Sequence, residues 1–167
     1  MKHYTSDEFG IWDYYLHARP DADYTGVPVY FQWLIRDDLR ALKGKSTGEF
    51  IEVQRYWPDW GLTYDAMATN HLNTYLTARL YWDTDQDVPA LLDEYYTKFY
   101  GDAAAEMKTF VEYCEANWLQ AAIDRAANDY TLIEGMRTRL NAAIAAATGV
   151  YADRVDLVND FLLVGEE

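Results

Sequence analysis

The chain has one cysteine, Cys114, in 167 residues, so no intrachain disulfide can form. Cys114 falls on the apolar face of a predicted helix, where a small buried hydrophobe is the expected role. A catalytic thiolate needs a histidine partner, and His3, His17 and His71 are too scattered to supply one. The same histidines show no metal-ligand spacing. Cations are scarce: 14 Lys and Arg face 28 Asp and Glu, for a formal net charge of -14. Phosphate-backbone binding needs clustered Lys and Arg, so neither nucleic acid nor an anionic membrane is an expected partner. No run approaches the roughly 18 apolar residues of a membrane span. The opening MKHYTSDEFG lacks the apolar stretch of a signal peptide, and with Met1 as the natural start the chain reads as cytoplasmic. No G-x-G-x-x-G, phosphate-binding loop or nucleophile-elbow motif occurs, so no cofactor is expected.

Aromatic residues, in contrast, are plentiful. Fifteen Tyr and six Trp supply large burial areas with polar handles. They suit a core of large residues, ahead of a half-exposed ligand platform. A neutral sugar is compatible with the acidity, which also serves solubility.

The first third reads differently from the rest. Phe9–Leu16, FGIWDYYL, has strand character. A loop marked by Pro20, Gly26 and Pro28 follows. Tyr30–Leu42 reads as a helix, with Phe31, Leu34, Ile35, Leu39 and Leu42 at helical spacing and Gly44 as its stop. Gly48–Gln54, GEFIEVQ, is too short for a helix and reads as a buried strand. Strand, crossover helix and strand make a βαβ unit, which implies parallel pairing. Arg55–Thr63, RYWPDWGLT, is a loop.

From Tyr64 onward only helices are expected. Leu72, Tyr75, Leu76 and Leu80 form one stripe. Asp83–Asp87 is a corner with Asp87 as a cap and Pro89 in the first turn of the next helix, which Gly101 ends. Its alternating acids resemble the start of a calcium loop, but no glycine stands at the sixth place, and a solvated corner is the simpler reading. Met107, Phe110, Val111, Cys114 and Trp118 line the next helix. Thr131 and Glu134 have capping-box spacing, Gly149 closes the helix they open, and Val155, Val158, Phe161 and Leu162 make a last stripe. A boundary near Ala66 divides an α/β segment, residues 1–65, from a helical domain, residues 66–167.

The order WDYY, proline-led helix, GEFIE, tryptophan loop and LNTYLTARLYWDTDQDVPALLDEYYTKFYGDAA resembles the C-terminal part of bacterial glycoside-hydrolase-like proteins. These are catalogued as a domain of unknown function and are distantly similar to the α-glucuronidases. The likeness runs from Phe9 to Trp118. It is most specific over Leu80–Ala104, where W-D, D-V, F-Y-G and A-A recur in order. It implies a (β/α)8 barrel followed by a helical domain, with WDYY as one of the last barrel strands and GEFIE as the final one. Chemistry in such barrels sits at the C-terminal strand ends. Glu52 is then the first catalytic candidate and Asp13 the second, with Tyr14, Arg55, Trp57 and Trp60 lining the same mouth.

A barrel takes eight βα units and about 250 residues, yet only two strands are readable here. The fold expected is therefore mainly α, with two short N-terminal strands in a βαβ-like remnant of the barrel and a helical domain behind them. Hydrolysis needs carboxyl groups about 5–5.5 Å apart for retention or about 6.5–9.5 Å for inversion. Asp13 and Glu52 meet that need only as neighbours facing one mouth; otherwise they are a turn acid and a solvated strand-end acid. Trp57 and Trp60 would stack on a sugar face, or cap the core beneath their loop. Arg55 would bind a uronate carboxylate, or pair with Glu52 or Asp59. Sugar recognition is expected ahead of independent hydrolysis, which would need the missing barrel units. A non-catalytic carbohydrate-binding module and a ligand-free helical interaction domain are the alternatives. Two strands alone leave open sheet edges, so a homo-oligomer or a missing N-terminal partner is expected to cover them.

Overall fold

The computed structural model describes residues 9–16, 27–53 and 67–166. In chain order these form β1 (Phe9–Leu16), α1 (Gln32–Leu42), β2 (Ser46–Val53), α2 (Met67–Trp82), α3 (Val88–Tyr100), a 3-10 turn at Gly101–Ala103, α4 (Ala104–Ala126), α5 (Thr131–Ala146) and α6 (Val150–Glu166). The protein is mainly helical, with two short parallel N-terminal strands.

β1 and β2 pair in parallel through the α1 crossover, with Ile11 level with Glu49, Trp12 with Phe50 and Asp13 with Ile51. The strand character of GEFIE is as expected, but its burial is not. Phe50 is 58% exposed and Trp12 63%, and their rings meet edge to face at 5.2 Å. α1 starts at Gln32, two residues later than its spacing suggests, and Leu34 of its expected stripe is 49% exposed.

The core lies among the helices. Leu72, Leu76 and Leu80 of α2 pack with Leu91, Leu92, Tyr95 and Tyr96 of α3 and with Met107, Phe110 and Cys114 of α4. Met136 and Leu140 of α5 and Val155, Val158 and Leu162 of α6 close it. Val27, Tyr30, Ile35 and Leu39 belong to the same cluster, so α1 is seated on the helices rather than apart from them.

Three polar side chains lock that seat. Asn73, fully buried on α2, accepts from the Phe31 N–H at 3.1 Å and donates to the Val29 carbonyl at 3.1 Å. Gln32 donates to Glu115 at 2.9 Å and accepts from the Tyr96 hydroxyl at 3.2 Å. Glu115 of α4 also accepts from the Trp33 N–H at 3.2 Å. It thereby satisfies an orphan donor at the α1 N-terminus, where Phe31 offers no side-chain cap and a negative charge is favoured.

The helix ends follow their local chemistry. Asp87 caps α3 by accepting from the Ala90 N–H at 3.2 Å, with Pro89 in the first turn. Gly101 ends it at φ +49° and donates to the Thr97 carbonyl. The capping box expected at Thr131 does not form. Thr131 is the first residue inside α5, and Asp129 accepts from both its N–H (3.0 Å) and its hydroxyl (2.7 Å). A two-residue turn to an aspartate outcompetes the longer reach to Glu134. α5 ends at Ala146, before Gly149, whose φ of +54° falls in the connection to α6.

Candidate functional site

α2 buries Leu72, Leu76 and Leu80 on one stripe. Trp82 lies two residues past Leu80, about 200° around a helix, and so emerges on the opposite side, 90% exposed. Tyr81 projects between, 45% exposed. Alongside, α1 ends at Leu42, and Gly44, at φ +71°, turns the chain into β2 at Ser46. An open groove of about 420 Å³ separates the two ends, lined by Leu39, Leu42 and Leu80 at its base and by Lys43, Ser46, Glu49, Tyr81, Trp82, Asp83 and Thr84.

Glu49 is the polar centre of the groove. Its Oε2 accepts from the Tyr81 hydroxyl at 2.7 Å and its Oε1 from the Ser46 hydroxyl at 3.2 Å. Neutral donors orient the carboxylate without cancelling its charge. Asp83 accepts from the Asp85 N–H at 2.9 Å. The lysine of the lining is committed elsewhere: Lys43 Nζ meets Asp85 at 2.5 Å and holds that carboxyl below its usual range.

The acidic corner beyond Trp82 is braced. Arg40 donates to the Thr84 carbonyl at 2.9 Å and to the Gln86 carbonyl at 3.1 Å. The Gln86 amide donates to the Arg79 and Asp83 carbonyls and accepts from the Arg79 guanidinium. The indole therefore stands at the rim of a groove whose walls are tied together, an arrangement that lowers the ordering cost of binding. Glu94, twelfth from Asp83, pairs with Lys98 at 2.7 Å, and among the described residues no group of three or more His, Cys, Asp or Glu is placed to hold a metal ion.

A second polar-aromatic cluster is structural. His71 stacks on Phe99 at 4.3 Å, and its Nδ1 lies 3.0 Å from the Tyr95 hydroxyl. Arg154 covers Phe99 at 4.7 Å and donates to the Lys98 and Phe99 carbonyls at 3.1 and 2.8 Å, binding α6 to the carbonyl end of α3. Cys114 is fully buried, and burial pushes its thiol up, away from the reactive thiolate.

Of the residues expected to carry chemistry, Asp13 and Tyr14 fall on β1 and Glu52 on β2. The two strands are neighbours, and Glu52 stands one residue beyond the level of Asp13. The side chains of Asp13, Tyr14 and Glu52, and the whole of Arg55, Trp57 and Trp60, lie outside the described residues. The groove takes the first half of β2, at Ser46 and Glu49, with Glu52 three residues further along the strand. Its residues read in the sequence as a strand, a helix end and a corner. The available signal was the Tyr81–Trp82 pair, since two consecutive aromatics cannot both join the stripe of Leu80.

A family model described as a domain of unknown function, DUF4838, matches residues 3–112. The chain belongs to the DUF4838 family. The matched span contains β1 to α3 and the first part of α4, and so the whole groove, while α5 and α6 lie beyond it. No curated protein and no solved structure matches the chain. No described helix is long and apolar enough to cross a membrane.

Proposed function

We propose that this DUF4838 chain recognises carbohydrate, through the groove between α1, β2 and the end of α2, as part of a glycoside-hydrolase-like protein. The exposed Trp82 at the rim of that groove is the observation that carries the reading. A pyranose ring has an apolar face of C–H bonds and a girdle of hydroxyls. An indole with 90% of its surface in water gains by covering the first. Glu49, Asp83 and Ser46 can accept hydrogen bonds from the second. The groove volume of about 420 Å³ is within the range of small-molecule sites.

Hydrolysis by the chain alone is not part of the proposal. Asp13 and Glu52, on adjacent strands, remain the pair proposed for it in a completed barrel, with Tyr14, Arg55, Trp57 and Trp60 around them. The groove is separate from that strand end and needs no further barrel unit to exist.

Tryptophan fluorescence titrated with a panel of neutral oligosaccharides tests the proposal. The expected result is a saturable shift with at least one sugar, lost in Trp82→Ala. A flat response across the panel rejects carbohydrate recognition.

A second reading, a protein interaction domain, is favoured by the exposed Trp12–Phe50 pair. Parallel sheets are ordinarily covered on both faces, and an aromatic pair in water marks a surface a partner would cover. Light scattering distinguishes it. An assembly that Trp12→Thr with Phe50→Thr dissolves supports the interface, and a monomeric wild type that responds to sugar leaves the groove as the functional surface.

A further inference from the structure

The lining of the groove carries information about its ligand beyond the word sugar. Two carboxylates, Glu49 and Asp83, line it. The lysine beside them is held by Asp85 at 2.5 Å, and the nearby guanidinium of Arg40 is turned to the carbonyls of Thr84 and Gln86, to which its Nε and Nη2 donate. Among the described residues the Glu49 oxygens take their hydrogen bonds from the neutral Tyr81 and Ser46 hydroxyls, so the negative charge stays available to a cation. The chain as a whole carries a formal net charge of -14, which adds to the field against anions.

We infer that the groove takes sugars bearing a free amino group, with the ring on Trp82 and the ammonium at Glu49, in preference to neutral sugars, and that it rejects uronates. The inference rests on the carbohydrate reading above and names the ligand class of the same site. It runs against the uronate ligand that an α-glucuronidase-like relative would suggest. An ammonium near a carboxylate that is half-buried and already oriented gains a charge-assisted hydrogen bond, and a hydroxyl at the same place gains a neutral one. A uronate carboxylate meets like charge, and the one cation among the described lining residues, Lys43, is already paired with Asp85. The gain of an ion pair at a solvent-facing site is modest, about fivefold in affinity, and it weakens with salt.

The test is a fluorescence titration at about pH 6, where the amine is protonated, with the β-1,4-linked disaccharides of glucosamine, of glucose and of a uronic acid. The glucosamine disaccharide is expected to bind about fivefold tighter than the glucose one. The uronate is expected to show no saturable binding. The preference should shrink as salt is raised, and Glu49→Gln should bring the amino and neutral sugars together. Equal affinity for the amino and neutral disaccharides, or tighter binding of the uronate, overturns the inference and leaves carbohydrate recognition standing. A preference that survives Glu49→Gln also overturns it. So does one that survives Trp82→Ala by calorimetry, because the attraction is then a property of the acidic surface and not of the groove. Trp82 contributes nothing to the buried core, so its replacement leaves a folded protein. Silence towards all three disaccharides removes the carbohydrate reading itself.

Discussion

Tyr81 donates its hydroxyl proton to Glu49 across 2.7 Å, and that bond joins the last turn of α2 to the middle of β2. It closes one wall of the groove and aims the carboxylate. Both partners are at least partly exposed, so water replaces the bond readily and its net contribution to folding is below about 1 kcal/mol. Its consequence is positional. Tyr81→Phe is expected to shift the melting temperature by little more than a degree, while affinity for a sugar that binds the groove falls about threefold, since one hydrogen bond of this kind is worth about 0.5–1.5 kcal/mol. Paired melting and titration curves check this. A large loss of stability with unchanged affinity would assign the bond to the fold alone.

Asn73 does the opposite kind of work. Its side chain is fully buried and serves both the Phe31 N–H and the Val29 carbonyl. A nonpolar replacement leaves those two backbone groups without partners in the interior, at about 1–3 kcal/mol each. Asn73→Leu is expected to destabilise the protein by about 3 kcal/mol in urea denaturation, through the seat of α1. A cost under 1 kcal/mol would mean that the segment before α1 finds water or another partner.

What could be read beforehand was set by periodicity and by single-residue chemistry. β1 was legible to the residue because an aromatic, β-branched run was bounded by polar chain on both sides. Asp87, Pro89 and Gly101 declared the two ends of α3 because each has one dominant local role. The Thr131 cap misled because capping-box spacing is satisfied by many sequences, and Asp129 competes from two residues away. The groove was not legible, because it is made where three elements end together. Trp82 is more than thirty residues from Lys43 and Glu49 in sequence, and each is unremarkable alone. The Glu115 cap on α1 was hidden for the same reason: a carboxylate on α4 does what the chain next to Phe31 does not. Nor did the boundary drawn near Ala66 reveal that Ile35 and Leu39 share a core with α2 and α3.

Gly101 is a sharper requirement than a helix stop. It holds φ at +49° with ψ at −111°, a strained conformation that costs other residues about 1–3 kcal/mol. A Cβ there would also stand 2.3 Å from the Tyr151 ring of α6. The glycine thus serves the end of α3 and the approach of α6 together. Gly101→Ala is expected to cost about 3 kcal/mol, the strain of the backbone added to that of displacing a packed ring. The companion change Tyr151→Ala should recover part of that loss, as a double-mutant cycle would show. Additive effects would mean that the ring moves aside freely.

The pH response follows from His71. It is half-buried against Phe99 and Tyr95, with the Arg154 guanidinium on the same ring stack. Burial first, and the positive charge of Arg154 second, lower its pKa from the ordinary 6.5. The unfolded chain therefore takes up a proton near pH 6.5 that the folded chain still refuses. Stability from this group is complete above the unfolded value, falls as pH drops below it, and stops falling once the folded pKa is passed. Glu115 acts with the opposite sign. Burial raises its carboxyl above the ordinary 4.5, so its contribution is complete below that value and is lost as pH rises through the folded one. The ion-paired Asp85 and Glu94, whose pKa values are lowered, lose their contribution only at more acid pH. Thermal melts stepped from about pH 7.5 to 5.5 are expected to show stability declining with acidification in the wild type. His71→Phe, which keeps the stack and removes the titration, should flatten that decline. An unchanged slope in His71→Phe would place the proton uptake elsewhere.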